Sequence, residues 1–260
     1  MPTIRPEQVA QSFGDDARRY DRARPSYPDD MVRRILDAGP GPDVLDVGCG
    51  TGIAARQFQA AGGRVLGVEP DPRMAEPARE SGIEVDVSTF EAWDPAGRTF
   101  DAVVAGQAWH WVDPVAGAAK AARVLRPGGR LAVFWNVFQP PPDLTEAFGA
   151  VYRRVVPELT AIFDRATPIL TGYQAMFRTA ADGIRTSDAF GDPEQWHFEW
   201  QRPYTRDEWL AQVPTFGGFS RLPPAARDEL AAGIGAAVDA VGGRFVMRYD
   251  TVVVTAVAKR

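Results

Sequence analysis

Short apolar runs alternate with stretches in which apolar residues recur every three or four positions. That alternation predicts strands and helices in turn. Val44, Leu45 and Val47 form the first apolar run, and Arg64–Glu69 the second. Ile83–Val87, Phe100–Ala105 and Arg130–Asn136 follow, each short enough for a buried strand. Between the runs, Ile53, Ala54, Ala55, Phe58 and Ala61 recur at helical spacing, and an alanine-rich helix is predicted over Pro114–Leu125. Arg126-Pro127-Gly128-Gly129 reads as the turn that ends this helix. Five strand–helix alternations imply a parallel sheet with helices on both faces.

The flanks read differently. Val9, Phe13, Ala17 and Tyr20 predict a helix over 6–24, ended by the prolines of Arg24-Pro25-Ser26-Tyr27-Pro28. Asp29 or Asp30 caps a second helix with Met31, Val32, Ile35 and Leu36 on one face. Residues 137–195 have poor periodicity, a helical stretch near 144–156 and the run Pro140-Pro141-Pro142; they read as an inserted, partly helical cap. Trp196–Trp200 reads as a strand. Thr205-Arg206-Asp207-Glu208 reads as the cap of a short helix, and Pro223–Val241 as another helix. Phe245–Ala258 is one long strand, or two meeting at Tyr249-Asp250. Three parts follow: a core with N-terminal lid helices over 1–136 (lid about 1–30), the cap over 137–195, and completion of the core sheet over 196–260.

After the first strand the pattern switches to alternating glycines, Asp46-Val47-Gly48-Cys49-Gly50-Thr51-Gly52. Strand, glycine turn, helix is the opening of a nucleotide-binding unit. Glycine lets a ligand approach the backbone, and the helix start offers unpaired N–H groups. Ile53 stands where a dinucleotide fingerprint needs its third glycine, which disfavours an NAD-linked oxidoreductase. Glu69 ends the second strand, where a carboxylate can accept from both hydroxyls of a ribose. Gly106-Gln107-Ala108-Trp109-His110-Trp111 extends the fourth strand at the end where such sheets bind ligands.

Composition narrows the classes. With 29 Lys+Arg against 34 Asp+Glu the chain carries −5, which argues against nucleic acid as the main partner. Cys49 is the only cysteine, so no intrachain disulfide or Cys-based metal cluster is available, and no metal site is expected. Met1–Ala10 lacks an apolar signal core, and no run approaches the roughly 20 apolar residues of a membrane span. A soluble, cytoplasmic protein without a membrane partner is the expectation.

Asp46-x-Gly48-x-Gly50-x-Gly52 resembles motif I of class I S-adenosylmethionine (SAM)-dependent methyltransferases. Phe13, Tyr20, Arg24, Pro25, Tyr27 and Pro28 match the N-terminal pattern of a bacterial small-molecule branch of that family. Gln107-Ala108-Trp109-His110-Trp111 and Arg123–Gly129 match two further motifs of the branch. The resemblance is strong over about 13–136. It implies a Rossmann-like α/β fold: a seven-stranded sheet in the order 3-2-1-4-5-7-6, strand 7 antiparallel, with the mostly helical cap inserted. It implies SAM as cofactor, S-adenosylhomocysteine as product, a small-molecule acceptor and a monomer or homodimer.

Carried over by motif, Gly48 and Gly50 lie along the methionine part of SAM, with Asp46 near its amino group. Glu69, followed by Pro70, holds the ribose; Phe90 and Glu91 line the adenine; Gln107 sits beside the methionine moiety. Tyr20 and Arg24 cover the cofactor, with Arg24 available to its carboxylate. His110 is the candidate general base, the alternative being a structural histidine that orders Trp109 and Trp111. The implied activity is methyl transfer to an O, N or C nucleophile. A SAM-binding accessory protein without catalysis is the competing class. An Asn/Asp-Pro-Pro-Tyr/Phe signature, the mark of the amino-methylating nucleic-acid enzymes, does not follow strand four.

Overall fold

The computed structural model describes residues 6–157 and 169–259, with side chains placed for 9–157 and 172–259. Seven strands form one sheet in the order β3-β2-β1-β4-β5-β7-β6, with β7 antiparallel. They are β1 (Asp43–Val47), β2 (Arg64–Glu69), β3 (Glu84–Val87), β4 (Phe100–Gly106), β5 (Leu125–Gln139), β6 (Glu194–Thr205) and β7 (Arg244–Val257). The first five pair in parallel, with Val44 opposite Val65 and Ala102, and Leu45 opposite Leu66 and Val103. Parallel register brings the carboxyl ends of β1, β2 and β4 to one edge. Glu69, the glycine turn and Gln107 all leave the sheet there.

Helices α1 (Pro6–Ser12), α2 (Ala17–Ala23), α3 (Asp29–Asp37), α4 (Ile53–Ala60), α5 (Pro72–Glu80) and α6 (Pro114–Val124) precede β5. Then come α7 (Pro142–Val155), α8 (Ile169–Thr186), α9 (Arg206–Gln212) and α10 (Pro224–Ala240). The single helix predicted over 6–24 is interrupted by a 3₁₀ turn at Phe13–Asp16. Asp16 then caps α2 by accepting the Arg19 N–H at 3.0 Å. Local capping chemistry has overridden an unbroken apolar stripe. The predicted turn at Arg126–Gly129 is present as a bulge inside β5: Leu125 pairs with Phe100 and Arg130 with Ala102, so the residues between are looped out. The final strand is continuous through Tyr249-Asp250. The predicted helix near 144–156 runs Pro142–Val155, and the capping box at Thr205 and Glu208 is formed. Residues 158–168 of the predicted cap lie outside the described residues.

The chain divides into two compact units. One comprises 26–136, 174–198 and 251–260; the other comprises 1–25, 137–173 and 199–250. By this division 1–25 and 199–250 group with 137–173, and 174–198 groups with 26–136. Phe177, Ala180 and Ile184 of α8 belong to the unit that holds the glycine turn, because the inward stripe of α8 is apolar and buried there. That unit's core is Met31, Ile35, Val44, Phe58, Val104, Phe134 and Val253. The other unit has an aromatic core in which Phe148 stacks on Trp209 at 5.9 Å and Tyr204 stacks on Phe245 at 5.7 Å. Tyr204 also joins Tyr249 and Gln212 in a buried hydrogen-bonded group. The N-terminal helices α1 and α2 belong to this second unit.

Candidate active site

The turn after β1 is shaped by backbone conformations that only glycine adopts cheaply. Gly48, Gly50 and Gly52 have φ of 65°, 55° and 82°. At Gly48 space is closed as well: a Cβ would lie 2.6 Å from the Ala108 Cβ on the loop after β4. The Gly48 and Cys49 N–H groups donate to the Val68 carbonyl at 2.8 and 3.2 Å, which ties the turn to the end of β2. Cys49 is buried and its Sγ fills the space over Gly67. Burial pushes its thiol well above the usual range, so it stays a neutral filler.

Glu69 fastens the other side. Its carboxylate accepts the Gly50 N–H at 2.9 Å and the Asp71 N–H at 3.0 Å, one on each oxygen. Each oxygen keeps a second acceptor position. Burial raises its pKa, and those two backbone N–H groups oppose the shift.

Asp46 is 1% exposed, and neither carboxylate oxygen has a hydrogen-bond partner. Burial, with the Glu69 charge behind it, pushes its pKa up to about 8, and the Ala55 backbone N–H counters this only weakly. Buried carboxylates are normally paired. An orphan pair of acceptors beside a glycine turn fits a ligand that brings its own cationic N–H donors. The Thr51 hydroxyl, also buried and without a partner, adds a third polar group that the sequence reading did not single out. It stood in the motif only as a variable position.

After β4 the chain bends sharply. Gln107 is a non-glycine residue at φ 56°, with its N–H donating to the Phe134 carbonyl at 2.8 Å. Such backbone costs on the order of 1 kcal/mol and concentrates at functional sites. Tyr27 packs on this bend: a Cβ on Gly106 would lie 2.8 Å from its hydroxyl. Its main chain exchanges two hydrogen bonds with the Gln57 amide on α4, at 2.9 and 2.7 Å. Tyr27 belongs to the N-terminal motif but was not among the expected site residues.

Residues 109–111 form one 3₁₀ turn and point three ways. Trp109 is buried against Phe90 at 6.2 Å, whereas Trp111 is 39% exposed. His110 is exposed, lies 4.7 Å from the Trp111 ring, and accepts at Nδ1 from the Trp135 indole N–H at 3.3 Å. Desolvation draws its pKa down to about 4, so the imidazole is neutral at pH 7.

Among the remaining expected residues, Phe90 is interior, stacked on Trp93 at 6.3 Å. Glu91 is exposed and accepts the Asp113 N–H at 3.2 Å, while Pro70 is exposed beside Glu69. Lys120 secures this loop by donating to the Glu91 and Trp93 carbonyls. Tyr20 and Arg24 belong to the other unit. There the Arg24 guanidinium lies 5.0 Å from the Tyr20 ring centroid and 4.9 Å from that of Phe216, and donates to the Thr215 carbonyl at 2.6 Å. Its Nε is buried without a partner, and no carboxylate pairs with it among the described residues. His197 is exposed on β6. Among the described residues no cluster of His, Cys, Asp and Glu could hold a metal ion, and no helix is long and apolar enough to cross a membrane.

A sheet in the order 3-2-1-4-5-7-6 with strand 7 antiparallel, a glycine turn after β1 and an acid closing β2, is the class I SAM-dependent methyltransferase architecture. Residues 45–133, the strands and loops that carry this site, match the model of the methyltransferase domain family.

An uncharacterized methyltransferase of Mycobacterium tuberculosis is 39% identical over 130 residues, covering 49% of this chain and 53% of the relative. Nocamycin O-methyltransferase of Saccharothrix syringae is 38% identical over 162 residues, covering 55% and 57%. The chain spans about half the length of these curated relatives. Among solved structures, one from Anaeromyxobacter dehalogenans described as a type II methyltransferase superposes with a TM-score of 0.63 at 21% identity, over 89% of this chain and 97% of that one. A phosphoethanolamine N-methyltransferase of Haemonchus contortus, in complex with phosphomonomethylethanolamine and S-adenosylhomocysteine, gives 0.54 at 18% identity, over 100% and 61%.

Proposed function

We propose that the chain binds SAM and transfers its methyl group to an O, N or C nucleophile of a small organic molecule, as a cytoplasmic monomer or homodimer. The observation that carries this reading is the orphan Asp46 carboxylate beside the glycine turn and the fastened Glu69. SAM brings a cationic methionine end, a vicinal ribose diol and a methyl group activated for in-line displacement. Asp46 accepts from the ammonium. Glu69 uses its two spare acceptor positions for the ribose hydroxyls. The bare Cα atoms of the glycine turn leave room for the methionine backbone, and Gln107 borders it. Phe90, being interior, supports the adenine loop from beneath, and Glu91 and Pro70 offer the exposed edges.

Because the leaving group is already activated, the protein's main task is to hold the nucleophile within about 3–3.5 Å of the methyl carbon. A small-molecule acceptor suits the acidic chain, whose net charge of −5 does not favour a phosphate backbone. The O-methyltransferase among the relatives is consistent with such an acceptor.

Thermal denaturation tests the cofactor. S-adenosylhomocysteine at about 100 times its Kd should stabilise the chain by about 2.7 kcal/mol. For a chain of this size that is a rise in Tm of roughly 5–10 °C. NAD should leave Tm unchanged. Stabilisation by NAD with none by S-adenosylhomocysteine would overturn the reading.

A further inference from the structure

Trp135 and His110 meet in a way that determines what the histidine can do. An indole N–H only donates, so the nitrogen it reaches, Nδ1 of His110, must be unprotonated. A neutral imidazole carries one proton, and here it is on Nε2. Trp135 is 1% exposed, so moving that proton to Nδ1 would set two N–H groups against each other and leave a buried indole N–H without an acceptor. A histidine acting as a base through Nε2 needs the opposite arrangement, in which a carboxylate or carbonyl accepts from Nδ1–H. Among the described residues no carboxylate or cation bonds to the ring, and nothing takes the Nε2 hydrogen.

We infer that His110 is a hydrogen-bond donor locked in its Nε2–H form by Trp135, and that it orients an oxygen of the methyl acceptor instead of removing a proton from it. The inference rests on the proposed methyl-transfer reading for the identity of the ligand, but the locked proton is a property of the protein alone. It replaces the general-base role expected of His110 from sequence. It also narrows the acceptor. An oxygen acceptor whose lone pair faces Nε2–H cannot give its proton to His110, so it arrives already ionised, as a carboxylate, an enolate or an acidic phenol. An oxyanion is both the nucleophile such a site can use and the acceptor this donor recognises. The low pKa of the ring agrees, since a neutral donor persists across the physiological range.

The test is ¹⁵N NMR of the full chain labelled at histidine. There are two histidines, so His197→Gln assigns the signals. Near pH 7, without ligand, His110 should show a pyridine-type Nδ1 and a protonated, pyrrole-type Nε2. Trp135→Phe should release the lock and give a mixture of tautomers. A protonated Nδ1 or an imidazolium in the unmodified chain would overturn the inference. Once a methyl acceptor is in hand, His110→Gln, whose amide can donate from a similar place, should keep turnover within about tenfold, whereas His110→Phe should lose more than that. A loss on the scale of removing a general base in both variants, about 10²–10⁴-fold, would also overturn it. Failure of S-adenosylhomocysteine to bind would overturn the methyl-transfer reading and leave the NMR result standing, so the two are separable.

Discussion

Asp46→Asn is expected to stabilise the free protein at pH 8 and to weaken its hold on S-adenosylhomocysteine. Asp46 is buried without a hydrogen-bond partner, and its folded-state pKa lies at about 8 against an ordinary value of 3.8. Folding therefore takes up a proton. The contribution is complete below the unfolded pKa and is lost as pH rises through the folded one, so the native chain loses stability between about pH 4 and pH 8. Each tenfold difference in proton affinity between the folded and unfolded chain is about 1.4 kcal/mol, which places the total at several kcal/mol. Asparagine keeps the shape and removes the titration, so much of the fall in Tm across that range should vanish. Glu69, whose pKa is also raised by burial, should leave a residual slope. The cost falls on binding. Hydrogen bonds to a charged group contribute about 1.5–3 kcal/mol, so affinity should drop by at least about tenfold. Tm measured against pH, with and without S-adenosylhomocysteine, reads both effects. A variant less stable than the parent at pH 8, or one that binds equally well, would show that Asp46 is a satisfied structural acid.

The second large effect is expected at Glu69. Its two oxygens hold the Gly50 and Asp71 N–H groups, so the residue shapes the pocket as well as facing the ribose. Glu69→Ala should cut cofactor affinity at least tenfold through the lost charge-assisted bonds, about 1.5–3 kcal/mol each. It should also lower stability, because the Gly50 and Asp71 amides lose their acceptor. Glu69→Gln separates the two roles. Its amide keeps the side-chain shape and one acceptor oxygen but sets an NH2 against the other backbone N–H, so only part of the stability should return while affinity stays reduced. Calorimetric titration with S-adenosylhomocysteine, read beside the melting temperature, gives the division. Full affinity in Glu69→Gln would mean that the carboxylate charge plays no part in recognising the ribose.

Local features were written plainly in the chain. The alternation of Gly48, Gly50 and Gly52 needs no tertiary knowledge, because each occupies positive φ and no other residue type does so at low cost. The apolar runs of β1, β2 and β4 predicted the parallel sheet, and the place of Glu69 at the end of β2 followed from them. Thr205 and Glu208 announced their capping box three residues apart. The sheet order came from the family resemblance rather than from periodicity, which says nothing about neighbours.

What local pattern could not supply was decided by packing between distant residues. Residues 109–111 occupy one 3₁₀ turn, where successive side chains point about 120° apart. Two tryptophans and a histidine are equally plausible inward, and only the fold buries Trp109 and leaves Trp111 exposed. Asp46 could be read as a motif residue, but that its carboxylate makes no hydrogen bond of normal geometry is known only once every neighbouring donor has been placed. Tyr27 and Thr51 were visible as letters and gained meaning from contacts with the loop after β4 and from burial. The His110 proton is the extreme case: its position is set by an indole on β5, 25 residues away in sequence, because a buried donor must find an acceptor and this imidazole nitrogen is the one within reach.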